Sequence, residues 1–287
     1  MLLPENPWNQ IYCGDNLAYL RELVERKISF NLIIADAPYN VGKDFGNETD
    51  RQDDKTFLKD IQDRCELMSK LLTPTGSLLF FCSYRYVGRI QNILDAAIPK
   101  SHARMMIWFY ENGMSRQTKE PVTEFEPLLW YAKDSKDWTY NVDDVRVPYK
   151  TERVKNPVYK LDREGNKRAW IADPRGRKRG DVWQYPTLSG KCFEAERTEH
   201  ETQKPESFVY DLLRAYLPKN SDGKYEARVL DPYIGSGTTA VCCEKLNKEG
   251  NHKIIWMGME LEQRWVDTAH DRVEKQRSKI IEPDIFG

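Results

Sequence analysis

Several features are scarce in this 287-residue sequence, and each scarcity removes a class of protein. Six cysteines (Cys13, Cys65, Cys82, Cys192, Cys242 and Cys243) are scattered along the chain, with no CxxC pair and no Cys/His cluster. That spacing supports neither a disulfide framework nor a zinc site, so no metal is expected. No apolar run approaches the roughly 20 residues that span a bilayer. The opening MLLPENPWNQ lacks the charged flank and apolar stretch of a signal peptide. A reducing, cytoplasmic setting away from membranes is therefore expected. Net charge is nearly absent too, with 44 basic residues against 45 acidic ones. No global field draws the chain to a polyanion, and any nucleic-acid contact must come from a local patch. Internal repeats and low-complexity tracts are also missing.

What the sequence does have is alternation. The segments NQIYC, NLIIA and SLLFFCS read as short strands. The segments LAYLREL and FLKDIQDRCELMSKLL between them carry apolar residues at helical spacing, in the second case Phe57, Leu58, Ile61, Cys65, Met68, Leu71 and Leu72. The TPTG that follows reads as a helix stop. SLLFFCS is apolar without interruption, as a strand buried on both faces would be. A helix (YVGRIQNILDAAI) and two strands (RMMIWFYE and EPLLWYAK) follow. The pattern resumes later as KPESFVYDLLRAYL, a strand at 228–230, a helix from about Thr238, the strand KIIWMGMEL and a closing helix. Such alternation predicts an α/β fold, a mostly parallel sheet covered on both sides.

The texture changes in between. From Arg146 to Arg179 there are twelve basic residues and four acids, an excess of eight in an otherwise neutral chain. Tyr149, Tyr159, Trp170 and Trp183 are interleaved, and Pro and Gly break the periodicity. The segment reads either as a solvated irregular loop or as a phosphate-contacting surface, with Arg175, Arg177, Lys178 and Arg179 its densest cluster. The chain therefore divides into an α/β part (1–134), an insertion (135–191) and a second α/β part (192–287).

Two stretches carry candidate chemistry. In VLDPYIGSGTTA a strand meets Asp231, then Gly235-Ser236-Gly237, then a helix starting near Thr238. Glycines at a strand-to-helix turn let backbone approach a ligand, and the helix start adds free N–H groups and partial positive charge. A lone GxG is weak evidence. The third glycine of GxGxxG and the GK[ST] of a phosphate loop are both missing, which disfavours dinucleotide and nucleoside-triphosphate readings. Glu260 lies 23 residues beyond Gly237, the spacing of an acid that accepts from ribose hydroxyls. The second stretch is NLIIADAPYNVGKDF, residues 31–45, a buried strand that ends on Asp36, Ala37, Pro38 and Tyr39. By itself this reads as a strand-ending turn.

Together, Asp-Ala-Pro-Tyr, LDPYIGSGTTA and TEHETQKPESF resemble the catalytic motif, cofactor loop and methionine-end segment of the amino-methyltransferases of DNA. These S-adenosylmethionine-dependent enzymes belong to restriction–modification systems or act as orphan methylases. The order, with catalytic motif first and glycine loop last, is that of their β group. The resemblance covers nearly the whole chain except the basic middle. It implies the methyltransferase variant of the doubly wound, Rossmann-like sheet, with 135–191 as an inserted target-recognition region.

The resemblance also implies roles. Asp36 and the main-chain carbonyl of Ala37 would accept the two hydrogens of an exocyclic amine, and Tyr39, after Pro38, would stack on a base flipped out of duplex DNA. Asn40, Val41 and Phe45 would line the same pocket. Asp15, Asp36, Lys204, Asp231, Gly235, Ser236, Gly237, Thr238 and Glu260 would form the cofactor site, Asp15 at its adenine end and Lys204 at its carboxylate. His200, nearby, reads as a structural histidine. Ala37 departs from the family's usual Pro, yet the carbonyl acceptor survives that change. An acid at the first motif position implies adenine N6 as the acceptor, with cytosine N4 the alternative. The implied partners are double-stranded DNA and, in a restriction–modification pair, a cognate endonuclease; the enzyme would be a monomer or homodimer. A DNA-binding homologue without the chemistry is the rival reading. A nicotinamide-dependent oxidoreductase is disfavoured by the glycine spacing.

Overall fold

Strands and helices alternate along the chain much as its hydrophobic pattern predicts. The structure, a computed structural model, describes residues 2–42, 51–113, 118–152 and 154–279. In chain order the elements are β1 (Gln10–Cys13), α1 (Asn16–Glu25), β2 (Phe30–Asp36), α2 (Asp54–Leu71), β3 (Leu72–Phe81), α3 (Val87–Ala97), β4 (His102–Phe109) and β5 (Phe125–Ala132). There follow β6 (Val158–Leu161), β7 (Lys167–Trp170), β8 (Val182–Gln184), α4 (Glu206–Tyr216), β9 (Glu226–Asp231), α5 (Thr238–Gly250), β10 (Lys253–Glu260) and α6 (Gln263–Ser278).

Eight strands form one sheet in the order β1-β10-β9-β2-β3-β5-β4-β8. All run the same way except β5, which is antiparallel to both β3 and β4. The mostly parallel, doubly wound sheet is the expected one. Period-2 geometry explains why its strands are apolar without interruption. In β3, Leu79 and Phe81 join the core beneath α4, α5 and α6, while Leu78 and Phe80 join the core beneath α1, α2 and α3.

One local expectation is corrected. Helix α2 ends at Leu71 and β3 begins at once, so TPTG lies inside the strand and not between helix and strand. Phe30 pairs with Leu72 but Leu32 pairs with Ser77, so those four residues form an irregularity in the ladder. Residues 135–191 contribute to two sheets. They supply the isolated β6–β7 hairpin, but β8 adds to the main sheet beside β4.

The sheet's topology fixes where a ligand can sit. From β2 the chain proceeds outward to β3, whereas from β9 it proceeds outward in the other direction to β10. The crevice beyond the carboxyl ends of β2 and β9 is therefore a topological switch point. Asp36 ends β2 and Asp231 ends β9, with Glu260 ending β10 one strand further on.

Candidate active site

Asp36 stands at that crevice and both its oxygens are engaged. Oδ2 accepts from the Lys204 ammonium at 2.6 Å, and Oδ1 accepts from the Tyr39 hydroxyl at 3.0 Å. A second carboxylate, Glu126 at the start of β5, completes the group. Its Oε2 accepts from Tyr39 at 2.6 Å and lies 3.3 Å from Lys204 Nζ. The rings of Phe81, Trp108 and Tyr39 surround Nζ at 5.0, 5.5 and 5.6 Å, so aromatic faces complete the ammonium's surroundings.

The electrostatics keep Lys204 charged and Tyr39 neutral. Burial pulls the Lys204 pKa down, but the carboxylates of Asp36 and Glu126 more than offset it, and the net shift is upward. Burial, then those same two carboxylates, holds the Tyr39 hydroxyl well above its ordinary value. Tyr39 is thus a donor, with one proton facing two acceptors. Burial also raises the thiol of Cys82 behind the site to about 12, so it is inert filler and not a nucleophile.

The glycine loop is held from inside. Asp231 accepts from the Tyr233 N–H at 3.0 Å and the Thr239 hydroxyl at 2.6 Å, tying the two ends of the turn together. Burial raises its carboxyl to about 7. Gly235 (φ +50°) donates its N–H to Glu260 Oε2 at 3.1 Å, and Glu260 Oε1 accepts from the Glu262 N–H at 3.0 Å. Glu260 is thereby fixed in orientation, and a carboxylate has lone pairs beyond those two contacts. A Cβ at Gly235 would meet the His200 ring at 3.0 Å. Gly237 (φ +85°) is glycine for a different reason, since its Cβ would stand 2.7 Å from the Ala269 methyl of α6. The hydroxyls of Ser236 and Thr238 accept from Arg272 at 3.1 Å each, so they brace the loop against α6.

Lys204, which the resemblance places at a cofactor carboxylate, spans to Asp36 and Glu126. Asp15 stands apart at the end of β1, where it caps α1 and pairs with Arg64 at 2.8 Å. Ala37 is buried, Pro38 is exposed, and Asn40 turns its amide to Gln52 and Tyr86 instead of lining a pocket. Val41 is exposed, and Phe45 lies outside the described residues. The cleft between Asp36 and the loop is narrow, about 40 Å³, with Lys204, His200, Phe81 and Gly235 in its wall. Glu126, Trp108 and Arg272 escaped the sequence reading. The one signal for Glu126 was an acid inside the otherwise apolar strand FEPLLWYA.

The basic cluster proves heterogeneous. Arg175 is paired with Asp143 at 2.8 Å and Asp173 at 2.9 Å. Arg179 is nearly buried: it pairs with Asp211 at 3.0 Å, donates to Val145 O, and lies 4.4 Å from the Trp183 ring centre. Arg177 and Lys178 are exposed and carry no ion pair among the described residues.

Residues 30–271 match the family model described as DNA methylase. The chain is 28% identical to the Type II methyltransferase M.HpaI of Haemophilus parainfluenzae, over 93% of this chain and 74% of that one. It is also 28% identical to the DNA adenine methyltransferase YhdJ of Escherichia coli (strain K12), over 96% and 88%. Among solved structures it resembles the M1.HpyAVI–SAM complex, with a TM-score of 0.63 at 22% identity, covering 92% of this chain and 98% of that one. The PvuII DNA methyltransferase, titled cytosine-N4-specific, aligns at TM-score 0.61 with 14% identity, over 93% and 89%. These two likenesses show the fold.

Proposed function

The chain belongs to the DNA methylase family and is an S-adenosylmethionine-dependent DNA methyltransferase, and from that premise we propose that its acceptor is the N6 amine of an adenine flipped out of the duplex. The observation that carries this reading is Asp36, a carboxylate at the switch point with the glycine loop beside it. An exocyclic amine is a poor nucleophile because its lone pair is delocalised into the ring. Asp36 and the carbonyl of Ala37 accept its two hydrogens, which favours a pyramidal nitrogen with a free lone pair. Tyr39 contributes its ring face to the base, a stacking contact of about 1–3 kcal/mol.

When bound, S-adenosylmethionine supplies a methyl group already activated by the sulfonium. The residues present suit it: Glu260 is an oriented acceptor for ribose hydroxyls, and the Gly235–Gly237 backbone offers close approach. In this proposal Asp15 serves the adenine end, and Asp231, Ser236 and Thr238 hold the loop in shape. Of the basic cluster, Arg177 and Lys178 are the phosphate contacts, and 135–191 is the target-recognition region. The enzyme works in the cytoplasm, with a restriction endonuclease reading the same sequence as its cellular counterpart. The YhdJ name and the acid at position 36 favour adenine over cytosine.

The test is methyl transfer to plasmid DNA, followed by mass analysis of its nucleosides. Asp36→Ala should abolish transfer, by at least about a hundredfold, since an interaction made to the reacting atom is lost. Cofactor binding should persist. Near-normal turnover would remove Asp36 from the role, and N4-methylcytosine in the digest would overturn the choice of base.

A further inference from the structure

The contacts of Glu126 pose a question about Asp36. With Lys204 on one oxygen and Tyr39 on the other, Asp36 has its best acceptor positions taken. Each oxygen keeps a further lone pair, but an amine docking there must share its acceptor with an ammonium whose side chain is only 9% exposed and which cannot be left without a partner. Glu126 resolves the conflict. Its Oε2 is already the closer acceptor for Tyr39, at 2.6 Å against 3.0 Å. It stands 3.3 Å from Lys204 Nζ, so a shift of well under 1 Å would complete that bond as well. The backbone beneath it is fixed, because Glu126 pairs with Trp108 in the ladder between β4 and β5.

We propose that Glu126 is a positioning residue that draws Lys204 and Tyr39 off Asp36, leaving the Asp36 carboxylate free to receive the target amino group. This rests on the reading of Asp36 given above. Two carboxylates, one ammonium and a neutral phenol carry one net negative charge. Moving the ammonium to Glu126 leaves that charge on Asp36, where an amino hydrogen is to be accepted. No covalent step is involved, only an exchange of donors between neighbouring acceptors. An acid on the face of β5 that also carries Leu128 and Trp130 is otherwise hard to account for.

The experiment is single-turnover methyl transfer to DNA by the wild type, Glu126→Gln, Lys204→Met and the double variant, with Glu126→Asp as the conservative control. A glutamine still accepts from Tyr39 but cannot neutralise Lys204. Glu126→Gln should therefore slow transfer by about tenfold or more where Lys204 is present and less than about twofold where it is absent, within the range of couplings between touching residues. Glu126→Asp should recover part of the rate. If Lys204→Met is itself too slow to follow, the four proteins are compared by the fluorescence of 2-aminopurine placed next to the mapped target adenine, which reports residence of that adenine in the pocket while leaving its N6 amine in place. The same dependence on Lys204 is expected there. Wild-type rate in Glu126→Gln, or an equal loss in both Lys204 backgrounds, overturns the proposal. Full activity in Asp36→Ala would instead overturn the reading it rests on.

Discussion

Replacing Asp231 by Asn should change how the stability of this protein depends on pH. Burial holds the Asp231 carboxyl at about 7 in the fold, against about 3.9 for an unfolded aspartate. The folded state therefore keeps this proton more tightly than the unfolded chain does. The resulting stability is fully present below about pH 4 and is lost as pH rises through about 7. A difference of about 3 pKa units corresponds to roughly 4 kcal/mol over that whole window, at about 1.4 kcal/mol per pH unit. Asn cannot ionise, and Thr239 can accept from its amide where it now donates to the carboxylate. The substitution should therefore remove the pH dependence while adding a constant offset of about 1 kcal/mol. Urea unfolding of both proteins at intervals from pH 5 to 8 measures this. The wild-type stability minus that of the variant should fall by about 2.5–3 kcal/mol across that interval. Taking the difference cancels other titrating groups, such as Asp173, which Arg175 holds near 2. A difference that stays flat across the interval would refute the account of Asp231 as a buried, proton-holding brace.

The two loop glycines should fail in different ways. Gly235→Val should cost some stability through its left-handed backbone and the His200 ring, and at a temperature where the variant is folded its cofactor affinity, measured by calorimetry, should fall sharply. Gly237→Ala should lower the melting temperature, because left-handed backbone costs about 1–2 kcal/mol and overlap with Ala269 costs about 1–3 kcal/mol more; an unchanged transition would refute the packing argument. Within the basic segment, Arg177→Gln with Lys178→Gln should flatten the slope of log affinity against log salt by about 1.8, while an unchanged slope would clear both of phosphate contact. Arg179→Ala should instead destabilise the fold by about 1.5–3 kcal/mol by removing one charged partner of Asp211, which keeps Arg214 and the Tyr185 hydroxyl, and a thermal transition at the wild-type position would contradict that.

The sheet was legible in the sequence because its strands are short, apolar and separated by helical spacing, a pattern set by local geometry. Asp36, Asp231 and Glu260 were legible for the same reason: each is an acid that ends such a run. What composition could not show was pairing across the chain. Lys204 and Asp36 meet although 168 residues separate them, and nothing near Lys204 distinguishes a cofactor partner from a carboxylate partner. Arg177 and Arg179 are equally basic neighbours, yet Asp211, 32 residues further on, turns Arg179 inward. Glu126 stayed hidden because its role depends on β5 running antiparallel between β3 and β4, which no periodicity encodes. The strand at β8 is only three residues long, too short to stand out in an irregular basic segment.

The strand order also constrains how the molecule comes into being. Strands β9 and β10 lie between β1 and β2, and Arg228 donates to the side chain of Asn31 across 197 residues of chain. As the polypeptide leaves the ribosome, β1 has no partner until β10 is made, and one edge of β2 stays open until β9 arrives. The nascent chain thus carries an unpaired, apolar strand edge across the 197 residues that separate Asn31 from Arg228, the condition under which strands pair with the wrong neighbour. Contacts this distant in sequence close late and slowly. Because Asp36 lies on one side of that gap and the glycine loop on the other, no product truncated before β9 could hold both halves of the site, and methylation capacity arrives only once the loop has been translated.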